Sequence, residues 1–141
     1  MKKPALKKLS SEIVSRLAKE YPDVKCHLDF NSPFELLVST VLAAQCTDIR
    51  VNMVMVPLYK SKYNKPADII KDGIDNFREN IKSINFFNNK AKAVLSICNS
   101  LVNDFGGKVP DNMEDLTSLA GVGRKSASLI LGNCFGKNDV I

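Results

Sequence analysis

The stretch LTSLAGVGRKSASLIL, Leu116 to Leu131, limits the fold more than any other part of the chain. Apolar residues recur at helical spacing on both sides of Gly121-Val122-Gly123, so two helices must meet across three residues. Glycines there allow positive φ and remove the Cβ atoms that would hold a neighbour away. The valine between them is expected to anchor the turn in a core. A chain committed to so tight an αα-hairpin must bury both helices against further helices.

The other segments read the same way. Leu6, Leu9, Ile13 and Leu17 fall on one face of an N-terminal helix ending before Pro22. In SPFELLVSTVLAAQ, Ser32 caps, Pro33 takes the first helical position, and Glu35 is expected to reach back to the Ser32 amide. Phe34, Leu37, Val38, Val41 and Leu42 make its core stripe. Thr47 and Asp48 suit the start of a second helix, with Val51, Val54, Met55 and Leu58 inward. Short helices are expected around PADIIKD and IDNFRENIKSI, divided by Gly73. Asn88 reads as the cap of NKAKAVLSICNSLVNDF, whose face is Val94, Leu95, Cys98, Leu101, Val102 and Phe105 and whose stop is Gly106-Gly107. Asp111, three residues before Glu114, suggests another capping box for a helix running through Leu119. Strand-like alternation is almost absent, which predicts an all-α protein.

Several chemistries are excluded by count. His27 is the only histidine, so a histidine-based relay or a multi-histidine metal site cannot form. Cys26, Cys46, Cys98 and Cys134 are widely spaced without a Cys-x-x-Cys pair, so reduced thiols are expected and no metal ligand set. No apolar run approaches the roughly 18–20 residues of a membrane helix, and Glu12 and Glu20 interrupt the basic N-terminus, unlike a secretory signal. A cytoplasmic protein is expected. The net charge of +5 suits a polyanionic partner as well as it suits a solvated lysine-rich surface.

The hairpin favours the polyanion. Amides at the start of its second helix would point outward, where they and the helix dipole favour an anion, and Arg124 and Lys125 add charge to that turn. Such a site grips a phosphate backbone without reading sequence. A plain αα-turn is the alternative; Leu119, Gly121, Gly123, Lys125 and Ala127 in register favour the clamp.

The segments NSPFELLVSTVLAAQCTD, VNMVMVPLY, IKSINFFNNKAKAV, GGKVPDNMEDLTSLAGVGRKSASLIL and CFG resemble the helix-hairpin-helix family of DNA glycosylases, and within it the endonuclease III group. The resemblance covers almost the whole chain in order and spacing. It implies a six-helix barrel module over residues 22–141, with the helix-hairpin-helix at 112–134, and an N-terminal helix over 1–21 that packs on a cluster domain. It also implies base-excision repair: an oxidised pyrimidine is flipped out of duplex DNA, its glycosidic bond is cut, and the strand is nicked by β-elimination. Lys125 matches the catalytic lysine, whose amine would attack the sugar C1′ and form a Schiff base. Burial and the positive helix end would help to keep that amine neutral. Gln45 matches the glutamine that fills the gap left by the flipped base. Phe86 is the wedge candidate between stacked bases, with Ile84 and Phe87 as possible core residues. Asn88, Lys90, Gly121, Val122, Gly123, Arg124 and Ser126 complete the expected DNA-binding set. The partner implied is double-stranded DNA carrying damaged pyrimidines or abasic sites, bound by a monomer, in the nucleoid if the source is bacterial.

Some positions depart from the family pattern. Asn85 replaces a usual glycine, a change asparagine tolerates through its access to the left-handed conformation. Ala120 replaces a usual proline and Ser126 a common threonine. The family's aspartate, in a VDTH segment, would follow Ile141, with Asp139 nearby but out of register. The four cysteines of the family's [4Fe–4S] cluster are absent from this sequence, so no cofactor is expected in this chain, which reads as a C-terminal truncation. A non-catalytic helix-hairpin-helix DNA-binding fragment is therefore the runner-up, and a basic helical protein adaptor the third reading.

Overall fold

The computed structural model describes residues 27–136. Within them the chain forms α1 (Pro33–Leu42), α2 (Asp48–Ser61), α3 (Pro66–Asp72), α4 (Ile74–Asn80), α5 (Phe87–Asp104), α6 (Met113–Thr117) and α7 (Arg124–Cys134). No strand occurs among the described residues, in line with the all-α expectation. The expected N-terminal helix, and Asp139, lie outside them.

Helix α1 is the centre of the molecule. Leu36, Leu37, Val38 and Leu42 are fully buried and face different directions round the helix, as an element enclosed on most sides requires. It packs against α2, α5 and α7, while the short α3 and α4 lean on α5. Each of the packed helices contributes a stripe: Val51, Met55 and Tyr59 from α2, Ala91, Val94, Ile97, Cys98 and Leu101 from α5, Ala127, Ile130 and Leu131 from α7. Val102, expected inward, is exposed, and Ile97 takes its place in the core.

Polar contacts fix the helices in register. Tyr59 on α2 donates its hydroxyl to the Glu35 carbonyl at 3.0 Å. That spends its one proton, so Ser39 donates to the Tyr59 oxygen at 2.6 Å. Burial pushes the Tyr59 phenol well above its ordinary range, and the Cys98 thiol is pushed up by burial to about 12.

The caps are partly displaced from their expected positions. Ser32 Oγ accepts the Glu35 amide at 3.2 Å, and Thr47 Oγ1 accepts the Arg50 amide at 3.1 Å. Glu35, however, accepts from the Asn31 amide at 2.9 Å. The extended backbone at Ser32 (φ −154°, ψ 160°) carries the chain away, so the carboxylate meets the amide one residue earlier. At α6 the cap is Asn112, whose Oδ1 accepts the Asp115 amide at 2.8 Å, instead of Asp111. That helix ends at Thr117, short of Leu119. Helix α5 starts at Phe87, so Asn88 lies inside its first turn instead of capping it. Gly106 and Gly107 do end α5, both with positive φ.

Candidate nucleic-acid interface

Three turns converge where α1 ends. The first, Ala43–Thr47, carries Gln45 exposed and in the left-handed region at φ 56°. The second, between α4 and α5, carries Phe86 at φ 59°, 61% exposed. Non-glycine residues adopt this conformation at a cost of about 1–2 kcal/mol, and an aromatic ring in water gains nothing from burial. Two such residues do not serve the fold by themselves. Ile84 is buried and Phe87 half-buried, which leaves Phe86 as the side chain offered outward.

Two side chains join these turns. Asn85 Nδ2 donates to the Gln45 carbonyl at 3.0 Å. Asn85 is not itself left-handed, contrary to expectation; that conformation falls on Phe86, and the Asn85 amide is used across the gap. Lys90 donates to the Leu42 and Ala44 carbonyls at 2.8 and 2.5 Å, and its Nζ lies 5.9 Å from the Phe86 ring centroid. Lys90, expected among the DNA contacts, turns its ammonium inward. Lys90 is 7% exposed, and its ammonium is committed to the carbonyl end of α1, where a cation is favoured. Burial holds its pKa below the usual lysine range, opposed by the neighbouring Cys46. Its position on the apolar stripe Lys90–Val94–Ile97–Leu101 is the sequence signal for a buried lysine.

The third turn is the α6–α7 hairpin. Gly121 has φ +75°, and a Cβ there would sit 3.6 Å from the Val41 side chain and 3.7 Å from that of Ala93, which places this turn against α1 and α5. Its methyl would point inward, so the glycine serves the turn conformation more than an outside approach. Gly123 is extended (φ −98°, ψ −176°), and a Cβ added there would meet nothing within 4 Å, so only contact from outside the chain would require glycine at this position. Val122 is buried and can offer a ligand only its backbone.

No side chain caps α7, and its first turn carries no acidic residue. Arg124 and Lys125 are exposed there, and Ser126 is half-buried. Placing two cations on the positive end of a helix is unfavourable for the fold alone and favourable once an anion docks. Lys125, expected to be buried, is exposed. Asn88 is exposed on the first turn of α5.

Among the described residues no group of three or more His, Cys, Asp or Glu could hold a metal ion. Cys98 is buried in the core, and Cys46 and Cys134 are half-buried. These residues do not fit a four-thiolate cluster. No helix among the described residues is long and apolar enough to cross a membrane.

The all-helical frame thus presents a glycine hairpin and two exposed side chains in left-handed backbone, Gln45 and Phe86, at one end. The chain belongs to the HhH-GPD superfamily of base excision DNA repair proteins, whose family model matches residues 38–141. It is 42% identical over 125 residues to endonuclease III of Haemophilus influenzae, covering 89% of this chain and 59% of that protein. With endonuclease III of Synechocystis sp. the identity is 42% over 130 residues, covering 92% and 59%. The fold matches a trapped endonuclease III–DNA covalent intermediate in an estranged-adenine complex, with a TM-score of 0.78 and 39% identity over 86% of this chain and 57% of that one. The chain thus spans about three-fifths of the length of the relatives it matches.

Proposed function

We propose that the chain binds duplex DNA at damaged or abasic sites and carries the lyase half of a glycosylase/AP lyase reaction on oxidised pyrimidines. The observation that carries this reading is the convergence of the three turns at the end of α1, with Gln45 and Phe86 exposed in strained backbone beside the hairpin. The uncapped α7 terminus, with Arg124 and the outer face of Gly123, would hold a phosphate of the backbone. Phe86 would wedge between stacked bases, and the Gln45 amide would meet the base left without a partner. Asn88 and Ser126 would add polar contacts to the backbone.

Lys125 supplies the chemistry in this reading. Its neutral amine adds to C1′ of the ring-opened abasic sugar, and loss of water leaves a protonated imine. The imine acidifies the C2′ proton, whose removal expels the 3′ phosphate as the leaving group. With a flipped base still attached, attack at C1′ expels that base first. Because Lys125 is exposed in the free chain, the bound DNA must supply the exclusion of water that favours the neutral amine.

Borohydride reduction on abasic-site duplex tests the proposal. A covalent protein–DNA adduct is expected with the chain and none with Lys125→Gln. Binding without an adduct would leave a non-catalytic DNA-binding module.

A further inference from the structure

We propose that Asn85 is a positioning residue that makes the gap-filling and wedging turns act as one rigid unit; this rests on the DNA-binding reading above. The Gln45 carbonyl and the Asn85 amide belong to residues forty positions apart, yet they are hydrogen-bonded at 3.0 Å at the surface of the molecule. Each end of that bond adjoins strain. Gln45 is itself left-handed, and Asn85 directly precedes left-handed Phe86. Lys90 holds the same pair of turns from beneath, through the Leu42 and Ala44 carbonyls and the Phe86 ring.

The division of labour follows from burial. Lys90 is enclosed and bonded to the end of α1, so its loss disturbs the fold. Asn85 is exposed, and its bond fixes only the relative placement of Gln45 and Phe86. A wedge that opens the stack is productive only when the gap filler arrives at the opposite side of the same gap. Held separately, each turn would relax into ordinary backbone in the free protein and would have to be strained again on DNA. The Asn85 amide keeps both in the binding conformation beforehand. A glycine at position 85 has no side chain to make this bond.

The test uses the 141-residue chain with duplex containing a stable abasic-site analogue opposite 2-aminopurine, beside an intact duplex. Wild-type protein is expected to prefer the abasic duplex and to change the 2-aminopurine fluorescence. Asn85→Ala, and Asn85→Asp, which keeps the size but removes the donor, should lower that preference about fivefold, the scale of one hydrogen bond. Intact-duplex affinity of Asn85→Ala and the thermal transition should stay unchanged. Gln45→Ala should cost less in the Asn85→Ala background than in wild type, and the fluorescence change should shrink in both. Unchanged preference in Asn85→Ala, or losses that simply multiply, overturns the proposal. A wild-type protein with no preference for the abasic duplex overturns the DNA-binding reading itself, and the coupling with it.

Discussion

The ammonium of Lys90 lies 2.8 Å from the carbonyl oxygen of Leu42, and this contact closes the end of the central helix. A C-terminus in the interior must find donors for its last carbonyls. Here a lysine from α5 provides them, and the turn that carries Gln45 starts from that fixed point. Lys90→Met keeps the apolar stem and removes the donor. It should cost about 2 kcal/mol, because buried carbonyls lose their partner. Chemical denaturation measures this, and a change below ~0.5 kcal/mol would mean the contact is dispensable.

The two hairpin glycines should separate fold from binding. Gly121→Ala forces a side chain to adopt φ +75° and should destabilise the protein by about 1–2 kcal/mol. Gly123→Ala meets no steric conflict within the chain. Its weaker capping and the reduced freedom of the unfolded chain roughly offset, to within about 0.5 kcal/mol. It should nevertheless weaken duplex binding irrespective of sequence. Equal binding by wild type and Gly123→Ala would remove the outer face of this glycine from the interface.

Arg124 and Lys125 share a helix turn but should fail differently. Arg124→Ala should weaken binding to all duplexes and reduce the slope of log affinity against log salt by about 1. Lys125→Gln should abolish strand cleavage at abasic sites while affinity falls much less. Cleavage that survives Lys125→Gln would assign the amine elsewhere.

Alkaline pH should unfold the protein through Tyr59 and Cys98. Both groups have folded-state values raised by burial, so the native state holds their protons more tightly than the unfolded chain does. The stability they contribute is complete below the ordinary values of 9.0 for the thiol and 10.0 for the phenol, and it is lost as pH rises through the folded values. For Cys98 that interval ends at about 12. Denaturation midpoints should hold up to the ordinary thiol value and then fall. The tyrosinate absorbance due to Tyr59 should appear together with unfolding; its appearance in folded protein would contradict this account.

The helices were legible because their apolar spacing reports directly on which face is buried. Val51, Met55, Val94 and Leu101 sit where periodicity puts them. The caps were less so, since Asp111 and Asn112 offer equivalent side chains and the local path selects between them. The details at the end of α1 depended on tertiary contacts. Local preference assigns left-handed backbone to Asn85, yet its side chain is held by Gln45, and the strain passes to Phe86. Lys90 was visible in an apolar stripe, but its partners lie 48 and 46 residues away, beyond any local pattern. Lys125 depends on motif position for its assignment, and burial does not distinguish it from other surface lysines.

Val122 is a buried residue between two exposed glycines. A turn pegged in this way has no inexpensive opening of its own, because freeing it means pulling a side chain out of the core. Its amides should exchange with solvent on the timescale of the surrounding helices instead of that of a surface loop. In the proposed role the hairpin would therefore meet DNA already ordered, with association there opposed mainly by desolvation and little entropy left to lose.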